Sequence, residues 1–424
     1  GIYKIYKSFI QPMLEQRWKR WTFMVSIVVV LIASLFMFYT KSVAVKMLPF
    51  DNKNEFQVII DMPEGTTLEK TNAVAKDIAI YVAQQPMVKN YQIYTGTSAP
   101  ISFNGLVRHY DIRKGENVAD IQVNLIDKKD RKLQSHDIAK EMRKPIQLIA
   151  QKYNANVKIV EVPPGPPVLS TLVAEIYGPD YNEQIKIAQQ VKQLLANTND
   201  VVDIDWMIED DQAEYQIEVD KEKAIQYGVA TAQIAATVRS ALTGLQSGNM
   251  YYSNAYQQTP IKLQLSDADK TSINDILELK VIGIKGNTVP LKDVVIVHRQ
   301  IKQKSIYRKN QKEVVFVLAD MAGKLESPTY AITKISESLK NIQLPVGYTL
   351  KEEYTKQPEF EDNFSLKWDG EWQITYEVFR DLGAAFAMVM IFIYILVVGW
   401  FRSFLVPLVI MAPIPISLIG IIPG

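Results

Sequence analysis

Apolar positions follow two different regimes along this chain. Three blocks are continuous: Trp21 to Thr40 (WTFMVSIVVVLIASLFMFYT), Leu382 to Phe401 (LGAAFAMVMIFIYILVVGWF) and Ser403 to Gly424, and none holds a charged residue. Each is long enough to cross a hydrocarbon core of ~30 Å, which takes roughly 20 helical residues. A buried helix of a soluble protein is usually shorter and amphipathic, so all three read as transmembrane helices. The first lacks a small-residue cleavage site, and its apolar run is too long for a signal peptide. Pro407, Pro413 and Pro415 predict an irregular third helix packed against protein rather than lipid.

Between the first two blocks the pattern alternates between periods of two and 3.6 residues. FQVIIDMP reads as a strand, and the helix after it starts at a capping box of Thr66 and Glu69, with Leu68, Val74, Ile78 and Val82 on one face. VKNYQIYTG and VADIQVNLID are strands, SHDIAKEMRKPIQLIAQKY a helix and NVKIVEVP a strand. The order βαββαβ is that of a ferredoxin-like split unit. After PPGPP it starts again: TLVAEIYG (strand), YNEQIKIAQQVKQLLANT (helix), VVDIDWMI and AEYQIEVD (strands), TAQIAATVRSALTG (helix). A β-rich insertion from Leu245 to His298 then delays EVVFVLADM (strand), PTYAITKISESLKNI (helix) and YTLKEEY (strand). The fold class expected is an α+β membrane protein, with two ferredoxin-like units and an inserted β subdomain outside the membrane. The divisions fall at residues 1–20 (interfacial), 21–40 (span), 41–165 (first unit), 166–244 with 299–356 (second unit), 245–298 (insert), 357–381 (pre-membrane), 382–401 and 403–424 (spans).

Charge orients this arrangement. Lys4, Lys7, Arg17, Lys19 and Arg20 precede the first span, which places the N-terminal side in the cytoplasm and the segment from Lys41 to Asp381 outside. The net charge of +1 gives no field for nucleic acid. The chain has no cysteine, so disulfides, thiolate metal sites and cysteine nucleophiles are excluded. His109, His136 and His298 stand apart from one another, and His136 reads as a solvated residue at a helix start. No phosphate-binding, dinucleotide or nucleophile motif occurs, so neither an enzyme nor a bound cofactor or metal is expected.

Several stretches resemble the resistance-nodulation-division transporters of the acriflavine-resistance type. MLPFDNKNEFQVIIDMPEGTTLEKT is similar to the family's segment after the seventh span, GEWQITYEVFRDLGAAF to the approach to the eighth, and FRSFLVPLVIMAPIPISLIGIIPG to its cytoplasmic turn and ninth span. The resemblance implies a part of the second half of a bacterial inner-membrane permease, interrupted before the tenth span. That permease would export amphiphilic small molecules by proton antiport, as a homotrimer working with a periplasmic adaptor and an outer-membrane channel. The family's proton relay uses aspartates of the fourth span and a lysine of the tenth, which lie outside this chain. The family's substrate-switching loop corresponds to TGTSAPISFNGLVRHYDIRKG, which makes Gly96, Phe103, Asn104, Gly105, Arg108 and Tyr110 its candidate residues. The two glycines would give it freedom, Phe103 and Tyr110 apolar surface, and Arg108 a charge. The insertion corresponds to the docking subdomain, with Tyr251, Tyr252 and Tyr256 as contact candidates. Heavy-metal efflux, which scattered methionines support weakly, and a membrane-anchored protein-export accessory factor are the alternatives.

Overall fold

The structure is a computed structural model that describes residues 6, 10–13, 15–40, 42–43, 50–162, 167–254, 258–323 and 326–423. Helix α1 (Arg17–Tyr39) carries the first apolar block. The first lobe then builds one antiparallel sheet. Strand β1 (Glu55–Asp61) is followed by helix α2 (Leu68–Ala83), β2 (Val88–Thr97), a short helix α3 (Phe103–Arg108), β3 (Lys114–Leu125), α4 (Ser135–Gln151) and β4 (Asn156–Val160). The strand order is β2-β3-β1-β4, every neighbour antiparallel. Alternation decides the two faces. Phe56, Val58, Ile60, Ile121, Val123, Val157 and Ile159 point toward Val74, Ile78 and Val82 of α2 and Ile138, Met142 and Ile146 of α4. Burial of each such side chain contributes about 1.5–3 kcal/mol. The capping box does not form: Thr67 is the N-cap of α2, and the Thr66 hydroxyl donates to Pro63 O at 2.6 Å.

The second lobe is interrupted. Strand β5 (Leu172–Tyr177), helix α5 (Tyr181–Ala196) and β6 (Val201–Trp206) begin it. The chain then enters a separate compact unit, Glu209–Lys304. That insert contains β7 (Ala213–Val219), α6 (Lys221–Tyr227), α7 (Thr231–Leu242), β8 (Leu245–Met250), β9 (Thr259–Leu263), α8 (Ile273–Leu277), β10 (Lys280–Ile282), β11 (Thr288–Pro290) and β12 (Val295–Ile301). Its strands pair only in antiparallel twos, β7 with β12, β8 with β9 and β10 with β11. Its core is small: Ala224, Val229, Ile234, Val281, Val289, Leu291, Val294 and Val295.

On leaving the insert the chain forms a hairpin of β13 (Arg308–Lys309) and β14 (Lys312–Glu313), then β15 (Val315–Met321), helix α9 (Pro328–Leu339), β16 (Leu350–Glu353) and β17 (Phe364–Gly370). The sheet order is β16-β17-β5-β15-β6. This corrects two sequence expectations. AEYQIEVD and TAQIAATVRSALTG belong to the insert, which therefore starts at Glu209 rather than Leu245. The strand beside β5 is FSLKWDG, not YTLKEEY, which lies outside β17 as a parallel edge. The strand signal of FSLKWDG, with Phe364, Leu366 and Trp368 at alternate positions, lies inside residues 357–381, which the sequence reads as a pre-membrane segment. In β17 these three side chains fill the core against α5 and α9.

Gly370 ends β17, and the next residue starts helix α10 (Glu371–Phe401), so strand and helix share one unbroken path. Helices α1 and α10 are both long and apolar enough to cross a membrane. Arg402, at φ 52°, closes α10 in a tight turn. The last apolar block is broken into α11 (Leu405–Met411), α12 (Pro413–Ile416) and α13 (Leu418–Ile421), as its prolines predict.

Candidate functional site

Each lobe covers one sheet face with helices. The opposite faces carry charge. In the first lobe, register places Lys158 of β4, Ile59 of β1 and Asp120 of β3 in one row across the sheet, on the side away from the helices. In the second lobe, Asp320 of β15 and Glu175 of β5 alternate with core positions in the same way. Asp320 pairs with the first lobe across this junction, whereas Glu175 pairs with Lys309 and Lys367 of its own lobe.

The segment 98–113 of the first lobe lies in this junction. Asp120 holds both of its ends: one carboxylate oxygen accepts the Ala99 N–H at 2.7 Å and the other the Arg113 guanidinium at 2.5 Å. Arg113 also donates to Ile60 O at 2.8 Å and pairs with Asp61. Within the segment, Ser102 caps α3 by accepting the Gly105 N–H at 3.2 Å. Helical spacing then separates two faces. Asn104, Gly105 and Arg108 are buried, whereas Ile101, Phe103, Leu106 and Ile112 are 77, 49, 56 and 74% exposed.

Arg108 reaches across to the second lobe. Its guanidinium donates twice to Asp320, at 2.6 and 3.3 Å. Asp320 also accepts the Ser170 hydroxyl at 2.8 Å and the Thr171 N–H and hydroxyl at 3.0 Å. Burial would push the Asp320 carboxyl up, but Arg108 and these donors outweigh it and hold it well below the usual carboxylate range. Next to this pair Lys158 donates to Asp61 at 2.7 Å and pairs with Asp205. Burial raises Asp61, yet Lys158 and Arg113 prevail and lower it to about 2. Asn156 donates to Asp205 at 3.1 Å. Asp203 pairs with Arg143 and accepts the Ile159 N–H at 3.1 Å. Here burial wins, and the Asp203 carboxyl is raised.

These contacts join two sheet edges, β4 and β6, without fusing them into one ladder. Asp203 lies at φ 52°, where β6 slips register against β15. The bulge turns its carboxylate onto an edge N–H of β4, which blocks strand pairing with a side chain. Farther along the junction His136 lies between Glu161 at 2.7 Å and Glu326 at 2.8 Å, stacked on Phe50 at 4.2 Å. Lys140 donates to Glu326 and to Gly323 O, each at 2.7 Å. Burial lowers the imidazolium, but the two carboxylates outweigh it and raise His136 to about 9. The expectation of a solvated helix-start histidine is thereby corrected.

The segment's candidate residues therefore separate by role. Phe103 presents apolar surface. Arg108 is a buried junction cation rather than a charge in a pocket wall. The Tyr110 ring lies 5.9 Å from the Lys158 ammonium and 5.8 Å from the Arg113 guanidinium, inside the charged network. Gly96, at φ 80°, occupies a bulge in β2 where a Cβ would approach Leu68 to 2.8 Å. Gly105 is a helical residue packed against Asp111. In the insert, Tyr251 and Tyr252 are exposed beside the β8–β9 hairpin, and Tyr256 lies outside the described residues. Asp61, Asp120, Lys158, Asp203, Asp205 and Asp320 escaped sequence reasoning. Except for Asp61, the last residue of β1, their signal was a charged residue at an interior strand position flanked by apolar ones.

A sequence model of the AcrB/AcrD/AcrF family matches residues 1–424. An uncharacterized transporter of Haemophilus influenzae is 24% identical over 398 residues, covering 92% of this chain and 34% of that protein. The swarming motility protein SwrC of Bacillus subtilis is 19% identical over 426 residues, covering 99% of this chain and 36% of that protein. Among solved structures, a heavy metal efflux pump superposes with a TM-score of 0.76 at 14% identity, covering 99% of this chain and 40% of that one. The chain thus spans about a third of the length of the curated relatives it matches.

Proposed function

This chain belongs to the AcrB/AcrD/AcrF family of resistance-nodulation-division efflux permeases, and from that premise we propose that it is part of an inner-membrane permease exporting amphiphilic small molecules. In this reading the two lobes are ferredoxin-like porter units in the periplasm and the insert is a docking subdomain for an adaptor and an outer-membrane channel. The working assembly is a homotrimer driven by proton antiport. The three apolar blocks hold no Asp, Glu, Lys, Arg or His, so the proton relay belongs to other spans of the permease.

The observation that carries the substrate class is the exposed apolar face of segment 98–113, raised over a charged junction. An apolar contact surface beside a few fixed charges suits a cargo that is partly greasy and partly polar. The heavy-metal alternative draws on the cargo named for a solved neighbour, whose likeness supports the fold alone, and on the names of two relatives matched over part of the chain, the nickel-cobalt-cadmium resistance protein NccA of Alcaligenes xylosoxydans xylosoxydans (22% identical over 160 residues) and the nickel and cobalt resistance protein CnrA of Cupriavidus metallidurans (21% over 183 residues). Among the described residues no group of three or more His, Cys, Asp or Glu could hold a metal ion, and segment 98–113 contains neither methionine nor cysteine. The test is ethidium efflux from pump-deficient bacteria expressing the full-length permease, with nickel and cobalt tolerance measured in parallel. Dye efflux that falls on Phe103→Ala supports the reading. Metal tolerance without dye efflux overturns it.

A further inference from the structure

Among the described residues, the ion pairs seen to join the lobes share one polarity. The first lobe supplies the cation each time, from Arg108, Lys158, Arg143, His136 and Lys140. The second lobe supplies the anion, from Asp320, Asp205, Asp203 and Glu326. The apolar cores remain separate on either side. A seam of this kind can part and re-form, because water solvates both charged walls once they separate, whereas parted apolar walls would stay exposed at high cost.

Arg108 is the one cation of this seam that is borne on the short helix α3, and its side chain is only 6% exposed. The buried side of α3 is otherwise weakly held. Asn104 Oδ1, Gln57 Oε1 and the Arg108 Nε are buried without a hydrogen-bond partner among the described residues. Buried polar atoms of this sort favour release. The bidentate bond to Asp320 is thus the strongest tie that fixes which way α3 faces.

We propose that Arg108 and Asp320 are a positioning pair: closed, it holds the Ile101–Phe103–Leu106 face outward, and parting of the lobes releases that face. The transport arm of its test rests on the capture reading above, while the labelling arm does not. The full-length permease, made otherwise cysteine-free, carries Leu106→Cys, and the rate of reaction with a membrane-impermeant maleimide is measured. Arg108→Met and Asp320→Asn should each change that rate about tenfold, and the double variant should change it no further, because one pair is lost in every case. Arg108→Lys, which keeps the charge but gives up the two-pronged bond, should fall between wild type and Arg108→Met, and it carries the test with Asp320→Asn if Arg108→Met fails to accumulate. In ethidium transport the pair variants should raise KM with little change in maximal rate. Unchanged labelling in Asp320→Asn, or effects that add in the double variant, overturns the positioning role. Altered labelling with wild-type transport upholds that role and removes the capture reading instead.

Discussion

Replacing Gly370 by alanine should be among the most damaging single-methyl changes in the second lobe. Gly370 has φ 80° and ψ −141°, a region open essentially to glycine alone. Forcing an L-residue there costs about 1–3 kcal/mol. The added Cβ would also lie 2.5 Å from Ser170 O and 2.9 Å from Thr171 O. These are backbone atoms, and they cannot retreat freely: Ser170 and Thr171 are bound to Asp320, and Thr171 O accepts the Glu371 N–H at 3.2 Å. Overpacking of this type adds about 1–3 kcal/mol, while the stiffer unfolded chain returns about 0.4–1 kcal/mol. The net loss should be about 1–6 kcal/mol. The assay is urea denaturation of the purified chain in detergent, followed by far-ultraviolet circular dichroism. Gly383→Ala is the matched control, because nothing lies within 4 Å of its Cβ. It should be neutral or stabilising by up to about 1 kcal/mol, as helix propensity requires. A Gly370→Ala protein within about 0.5 kcal/mol of wild type would refute the argument.

Two further outcomes follow from the ionic seam. Because folding raises His136 from its ordinary 6.5 to about 9, its stabilisation is complete below about 6.5 and is lost as pH rises through about 9; melting temperatures should fall over that window, and in His136→Gln that part of the profile should flatten. Lys158→Met removes one partner of a buried pair and should cost about 3–5 kcal/mol. Asp61 is lowered to about 2 from 3.8, so its stabilisation is present above about 3.8 and lost as pH falls toward 2; that acid slope should be shallower in Lys158→Met, and an unchanged slope would detach Lys158 from Asp61.

The long apolar helices and the first lobe were legible because their signals are local. Period, length and the absence of charge define α1 and α10, and alternation defines β1 to β4. The second lobe was harder because its sheet is closed by strands on both sides of the insert, and nothing local to AEYQIEVD tells whether its partner is β6 or β12. The junction was less legible still. Arg108 reads as a loop charge, and only register across two lobes reveals that Asp320 waits for it. Gly105 reads from the sequence as a source of backbone freedom, and the structure adds what the sequence does not show, a close approach in which a Cβ would lie 3.3 Å from Asp111.

The unbroken passage from β17 into α10 has a mechanical consequence. A helix of 31 residues is about 46 Å long, and a tilt of about 5° carries its far end roughly 4 Å. No slack segment absorbs that motion, because Gly370 is the last residue of the strand and Glu371 the first of the helix. The strand it drives is hydrogen-bonded to β5 along Ser365 to Gly370. The whole second sheet would therefore swing as a lever arm on this helical rod, over a distance comparable to the reach of an ion pair, about 4 Å. A small tilt of the helix would then be enough to break or remake the salt bridges between the lobes.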